Sequence, residues 1–265
     1  MRPLITFVSD FGLDDWFVAV VHGVLHGICP ESRIVDLTHT IPPGAVDRAA
    51  FVIEAAAPDF PPGTVHLAVV DPGVGTARRA LAVSAHRQLF VGPDNGLLGW
   101  ALADPSAEIY ELVEPKFFRQ PVSRTFHGRD VFAPVAAHLG LGVEIASFGP
   151  RIYDPVRLPP TDAVVRDGQL VGQVMRIDRF GNALTNLHET AIASAFPGAT
   201  ERDLAVVVGR RRIEGVARSY GDAPIGTVVA IMGSSGRLEV AQVGGAVAEY
   251  LGVGEGDSVR VLRRS

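Results

Sequence analysis

Short apolar runs alternate with longer stretches of helical period through the first half of the chain. Leu4–Val8, Ile34–Leu37, Val65–Val70, Ala80–Ala85 and Leu89–Val91 read as strands. Between them, Asp14–Ile28, Ala45–Ala57, a stretch from Gly96 and Asp130–Leu139 place apolar residues at helical spacing, the first with an acidic opening turn. Strands alternating with helices predict an α/β domain whose sheet is mostly parallel and covered on both faces.

The pattern changes at Asp154-Pro155-Val156-Arg157-Leu158-Pro159-Pro160, whose three prolines continue neither a helix nor a central strand. The expected division is an N-terminal α/β domain over 1–155 and a smaller C-terminal domain over 166–265. In the latter, Leu170–Ile177, Leu204–Val208, Thr227–Met232, Leu238–Ala241 and Val259–Leu262 read as strands separated by glycine turns, with one helix around Ala246–Leu251. That pattern predicts an antiparallel β-barrel.

A length of 265 residues fits two domains at ~100–200 residues each. The start, Met1-Arg2-Pro3-Leu4-Ile5-Thr6-Phe7-Val8, has the apolar look of a leader, but Ser9-Asp10 interrupts it and no small-residue cleavage site follows, so it is read as a first strand. No stretch approaches the ~20 apolar residues of a membrane span. With a single cysteine, Cys29, which precludes an internal disulfide, a soluble cytoplasmic protein is expected. Cys29 precedes Pro30 at a helix end and is expected to be a buried structural thiol. Net charge is −5, which gives no reason to expect nucleic acid or an anionic membrane as partner. Arg210-Arg211-Arg212 is the one dense basic run; without interleaved aromatics it is read as a solvated hairpin tip.

Lys116 is the only lysine, so no glycine-rich loop ends in the Lys-Ser/Thr of a nucleoside triphosphate site. Gly73-Val74-Gly75 fails as a dinucleotide fingerprint because its third glycine would fall on Arg78. His22 and His26 stand one helical turn apart, but no zincin glutamate lies between them and no third ligand is marked, so they are expected to line a packed face. His39 follows a strand end, where a loop hydrogen bond accounts for it.

Four segments set polar groups beside glycine at the ends of elements. They are Ser9-Asp10-Phe11-Gly12, Asp71-Pro72-Gly73-Val74-Gly75-Thr76 with Arg78, Phe126-His127-Gly128-Arg129-Asp130, and Asp178-Arg179-Phe180-Gly181-Asn182. Each alone reads as a turn or a cap. Three of them together, at strand-to-loop positions of one α/β sheet, point to a ligand site. Asp71 ends a buried strand, the glycines let backbone approach a ligand, and Arg78 brings a fixed positive charge seven residues later.

With Gly92-Pro93-Asp94-Asn95-Gly96 and Ser234-Ser235-Gly236, these motifs run in order across both halves and resemble the S-adenosylmethionine hydrolases (S-adenosylmethionine hydroxide adenosyltransferases), relatives of the fluorinase and chlorinase enzymes. The resemblance implies an N-terminal α/β domain, a C-terminal β-barrel, and a homotrimer binding S-adenosylmethionine between the N-terminal domain of one subunit and the C-terminal domain of its neighbour. It implies hydrolysis to adenosine and L-methionine through Asp71, Arg78 and His127, with no cofactor and no metal. It further implies Asp10 on the ribose hydroxyls, Asn182 on the adenine edge, Asp178 on the methionine ammonium, Ser234 and Ser235 near the methionine carboxylate, and Phe180, Tyr220 and Glu239 as further substrate contacts. Arg79 adjoins Arg78, but the seven-residue step from Asp71 favours Arg78.

The chemistry suits these residue types. A sulfonium activates the ribose C5′ and leaves as a neutral thioether, so the site needs a desolvated oxygen nucleophile rather than a general acid. Arg78 stabilises hydroxide character on a water, while Asp71 or His127 takes its proton; the sequence leaves that choice open. The fluorinase relatives lack an acid at the position of Asp71, and a carboxylate there repels halide but hydrogen-bonds water. Three other readings stand beside hydrolysis: a halide-using adenosyltransferase, a non-catalytic S-adenosylmethionine or adenosine sensor, and a metal-dependent hydrolase built on Asp10, Asp71 and His127.

Overall fold

The computed structural model describes residues 2–264 and divides into two compact units, Met1–Pro159 and Pro160–Ser265. The first unit carries β1 (Leu4–Ser9), β2 (Arg33–Thr38), β3 (Val65–Val69), β4 (Ala80–Ala85), β5 (Gln88–Pro93) and β6 (Glu108–Glu111) in one sheet of order β2-β1-β3-β5-β4-β6. The β2-β1, β1-β3 and β3-β5 pairs are parallel, while β4 runs antiparallel to β5 and to β6. The sheet is therefore mixed, with the parallel arrangement confined to the strands that bear the polar loops.

Alternation along the central strands fills both faces. Ile5 and Phe7 of β1 and Val65, Leu67 and Val69 of β3 pack on one side with α1 (Phe17–Ile28) and a later helix. Val8, Ala68 and Val70 face the other core with α2 (Val46–Ala56) and α3 (Gly99–Leu102). Every residue of β3 is buried, as a strand covered on both faces requires. The helix that completes the first face is α4 (Ala133–Gly140), preceded by a π-helical turn over Gly128–Phe132. Because α1 leads from β1 to β2 on one flank while α2, on the opposite face, leads back across to β3, the chain reverses direction between β1 and β3. The carboxyl ends of those strands flank a topological switch point, where ligands bind open α/β sheets.

The second unit contains β7 (Val164–Arg166), β8 (Gln169–Ile177), β9 (Ala183–His188), β10 (Leu204–Val208), β11 (Arg211–Glu214), β12 (Val228–Met232), β13 (Arg237–Gln242) and β14 (Ser258–Arg263). They pair antiparallel in the order β11-β10-β14-β8-β9-β13-β12, with β7 on β8. A bridge between Ala217 and Ile231 brings the two ends of the path together, giving a nearly closed barrel. Helices α5 (Glu189–Ala195) and α6 (Val247–Leu251) pack against it, and its core holds Leu187, Val206, Leu238, Val240 and Val261.

Several details differ from the sequence expectation. Helix α1 starts at Phe17, so Asp14 and Asp15 precede it and its first turn has no acid. Its packed face is Val18, Val21 and Leu25; His26 is exposed and His22 turns toward Asp36, so the two histidines do not line a packed face. The stretch from Gly96 is helical only over Gly99–Leu102. Strands β6, β7, β9 and β11 and helix α5 carry too little apolar periodicity to be seen in the sequence. Cys29 is buried, and Arg210 and Arg211 lie exposed at the β10–β11 hairpin. No helix among the described residues is long and apolar enough to cross a membrane.

Candidate active site

Asp10 and Asp71 leave neighbouring parallel strands at the same end of the sheet, where Ser9 of β1 pairs with Val69 of β3. Both line a cavity of about 380 Å³ together with Phe11, Gly44, Phe126 and His127. Asp10 Oδ2 accepts the Gly44 N–H at 2.8 Å. Its loop is held from beneath: Ser9 Oγ meets His39 Nδ1 at 2.7 Å, and the Gly12 N–H reaches the His39 carbonyl at 2.8 Å. Gly12 takes φ +70°, a conformation glycine adopts without a Cβ penalty.

Asp71, Arg78 and His127 form one continuous chain of contacts. Arg78 Nε donates to Asp71 Oδ1 at 2.8 Å, and Arg78 Nη2 donates both to Asp71 Oδ2 and to His127 Nδ1, the latter at 2.8 Å. The side chains of Asp71 and Arg78 are 6% and 11% exposed, so this bidentate pair is shielded from solvent. Arg78 is also stacked 5.1 Å over the Phe132 ring. Unlike Asp71 and His127, it is not part of the cavity lining; it joins the two groups that are.

A guanidinium offers donors only, so His127 Nδ1 must accept and the ring proton resides on Nε2. Burial and then the adjacent Arg78 charge hold the His127 pKa below its ordinary value, against the opposing pull of Asp71 and Asp130. The imidazole is therefore neutral at neutral pH. Backbone geometry places it: His127 immediately precedes the π-helical turn, in which the Ala133 N–H returns to the Gly128 carbonyl. Asp130 within that turn is fully buried, accepting from Arg129 Nε and Nη2 at 2.7 and 2.8 Å and from the Ser123 N–H at 2.8 Å. Burial alone would raise the Asp130 pKa, but these donors outweigh it and the net shift is downward.

Gly75, at φ +78°, shows why the Asp71 loop is glycine-rich, since a Cβ there would lie 2.4 Å from the Arg124 carbonyl oxygen. The neighbouring arginines diverge. Arg79 donates from Nε to Asp94 at 2.8 Å and from Nη1 and Nη2 to the Asp154 side chain and carbonyl at 2.7 and 2.6 Å, away from Asp71.

In the second unit, a separate cavity of about 780 Å³ is lined by Asp178, Phe180, Asn182, Tyr220, Ser234 and Glu239 among others. The turn between β8 and β9 is built around Asp178. Its Oδ1 accepts the Phe180 and Asn182 N–H groups at 2.8 Å each, and its Oδ2 accepts Asn182 Nδ2 at 3.0 Å. Phe180 is left 76% exposed at the rim. Tyr220 Oη donates to Glu239 Oε2 at 3.2 Å. Burial, reinforced by the Asp178 charge, raises the Glu239 pKa despite the Tyr220 hydrogen bond. Ser235 does not line this cavity; its Oγ is buried and has no hydrogen-bond partner.

The structure thus gathers Asp10, Asp71 and His127 on one cavity with Arg78 bridging behind, and gathers six of the seven remaining predicted residues on the other. Sequence reasoning did not single out Phe11, Phe126 or Gly44 of the first cavity or Gln242 of the second. The Phe11 and Phe126 rings touch edge-on with centroids 5.7 Å apart, and only their flanking position in the polar motifs marked them.

Residues 5–149 match the family model of the SAM hydroxide adenosyltransferase N-terminal domain, and residues 172–260 that of the C-terminal domain. The chain is 46% identical over 276 residues to an (R)-S-adenosyl-L-methionine hydrolase of Thermus thermophilus, covering 99% of this chain and 100% of the relative. Identity to a fluorinase of Nocardia brasiliensis is 31% over 290 residues, covering 98% of this chain and 97% of the relative. A crystal structure of a conserved protein from Thermotoga maritima matches with a TM-score of 0.91 at 38% identity, over 98% of this chain and all of that one.

Proposed function

The chain belongs to the SAM hydroxide adenosyltransferase family, and on that footing we propose that it hydrolyses S-adenosyl-L-methionine to adenosine and L-methionine. The observation that carries this reading is the Asp71–Arg78–His127 chain, whose acid and imidazole line one cavity beside Asp10. In the proposed reaction, water held between Asp71 and His127 attacks the ribose C5′ in line with the departing sulfur. The leaving group is a neutral thioether and needs no proton. Oxygen attack on a sulfonium annihilates charge, so a poorly hydrated cavity favours it.

The hydrogen-bond directions support Asp71 as the proton acceptor. His127 spends its Nδ1 lone pair on Arg78 and carries a proton on Nε2, so it serves as a donor that orients the water oxygen. Each Asp71 oxygen takes one Arg78 donor and retains lone-pair capacity for the water. Arg78 then acts through both neighbours, fixing their positions and, after burial, helping to hold the His127 imidazole neutral. A carboxylate on the cavity wall disfavours chloride or fluoride as nucleophile by like-charge repulsion.

Asp10 is proposed to hold the ribose hydroxyls. In the second unit, Asn182 is assigned to the adenine edge, Asp178 to the methionine ammonium, and Ser234 to the carboxylate, with Phe180, Tyr220 and Glu239 closing the pocket; Ser235, whose buried hydroxyl does not line the cavity, is assigned no substrate contact. Phe180, Tyr220 and Ile225 are exposed by 76%, 43% and 86% in the single chain. Such an apolar rim favours a homotrimer in which first-unit groups of one copy and second-unit groups of a neighbour act on one substrate. A cytoplasmic location is proposed from the lone buried thiol.

Product analysis tests the reaction. Incubation with S-adenosylmethionine in chloride buffer is expected to release adenosine and methionine in equal amounts, and Asp71→Asn to abolish that release while substrate still binds. A 5′-chloro-adenosine product, or stoichiometric binding without turnover, would overturn hydrolysis.

A further inference from the structure

Apart from the residues assigned above, one cluster of metal-ligating side chains is assembled among the described residues. We propose that His22, Asp36 and His39 form a binding site for one divalent first-row transition metal ion of the Zn²⁺ class. Helix α1 supplies His22, β2 supplies Asp36, and the turn after β2 supplies His39. Asp36 Oδ1 lies 2.9 Å from His22 Nε2 and 3.1 Å from His39 Nε2, and the three ligand atoms all fall within 4.8 Å of one another. Zinc bonds of ~2.0–2.1 Å in tetrahedral array put ligand atoms roughly 3.3 Å apart. Small rotations of His22 and Asp36, whose side chains are 29% and 38% exposed, supply that spacing and leave the ion an entry path.

The second observation concerns His39. Its side chain is only 2% exposed, its Nδ1 is engaged by Ser9 Oγ at 2.7 Å, and its Nε2 is buried without a hydrogen-bond partner. That nitrogen points at the Asp36 carboxylate at a distance fit for bonding but without the alignment of a hydrogen bond. A metal ion selects the tautomer in which Nδ1–H donates to Ser9 Oγ, which leaves the Nε2 lone pair directed to the side of the Asp36 carboxylate. A cation there is bound by both. The Ser9 contact is then the outer partner that orients a ligating imidazole. Phe7 walls the site, its ring centroid 4.6 Å from His39 and 6.1 Å from His22. Two imidazoles and one carboxylate suit Zn²⁺ or Co²⁺ better than Mg²⁺ or Ca²⁺, which prefer all-oxygen sets.

The site stands independently of the hydrolase reading. It is coupled to the same loop, since the His39 carbonyl accepts the Gly12 N–H and Ser9 precedes Asp10. A bound ion therefore ties α1 and β2 to the segment that presents Asp10.

The test is titration of chelator-stripped full-length protein with ZnCl₂ by calorimetry and with CoCl₂ by visible absorption. One ion per chain is expected, with a Co²⁺ ligand-field band and a rise in the thermal midpoint. His22→Ala and Asp36→Asn, both at partly exposed positions, should each weaken binding at least tenfold. His26→Ala, one turn along α1 and outside the cluster, should leave it unchanged. Absence of stoichiometric binding, or binding that survives both His22→Ala and Asp36→Asn, would overturn the site.

Discussion

Replacing Arg78 by lysine keeps the charge and removes the geometry, and so isolates what the guanidinium contributes. Arg78 spans three acceptors: Asp71 Oδ1 through Nε, and Asp71 Oδ2 and His127 Nδ1 through Nη2. A lysine ammonium donates from a single atom and does not span both carboxylate oxygens and the imidazole. Hydrogen bonds to charged groups are worth ~1.5–3 kcal/mol. Loss of the His127 bond alone thus predicts a fall of roughly 10- to 150-fold in kcat. KM should stay within about twofold, because Arg78 is not part of the cavity lining. Arg78→Ala is the harsher change: it leaves Asp71 without its counter-ion at 6% exposure and should cost ~3–5 kcal/mol of stability as well. Adenosine release followed chromatographically across substrate concentrations, with urea unfolding of both variants, measures all three quantities. A lysine variant that turns over within twofold of the parent would refute the bridging role of Arg78.

Acid should destabilise the first unit through His66, whose burial lowers its pKa from 6.5 to about 4. The folded value lies below the unfolded one, so the unfolded chain binds more protons between these limits; stability is present above about pH 6.5 and lost as pH falls toward 4, by about 2 kcal/mol between pH 7 and pH 5. Denaturant melts at those two pH values check it, and a flat profile would contradict it. Gly181→Ala should raise KM more than it lowers kcat, since Gly181 sits at φ +81° and a Cβ would come 2.4 Å from that of Ala246, displacing the turn that carries Asp178 and Asn182. Steady-state kinetics with unchanged KM would count against that turn as a substrate contact.

What the sequence discloses follows from how each element is stabilised. β1 and β3 are buried on both faces and are nearly uniform apolar runs, so they stand out. β9 does not, because Thr185 and Asn186 are buried polar residues satisfied by long-range bonds, Thr185 Oγ1 to the Leu238 carbonyl at 2.6 Å and the Gln173 N–H to Asn186 Oδ1 at 2.7 Å. Hydropathy alone does not register a polar group whose partner is fifty residues away. The Asp71–Arg78 pair was legible because seven residues of glycine-rich loop return the chain to its own strand end. His127 joined them only through motif order, since its contact with Arg78 spans 49 positions. The His22, Asp36 and His39 cluster was invisible for the same reason: it exists only once His22 of α1 meets Asp36 of β2, a contact that spans 14 positions.

Arg78 and Arg79 send identical side chains from adjacent positions to opposite duties, one clasping Asp71 and His127, the other fastening the proline-rich strap at Asp154 to Asp94. The consequence falls on loop length rather than on composition. Deleting any one residue among 72–77 would, counted from Asp71, put Arg79 in the place of Arg78 and Ala80 in the place of Arg79, leaving Asp94 and Asp154 without their shared guanidinium. Insertions and deletions there should therefore be tolerated far less than substitutions that preserve the count.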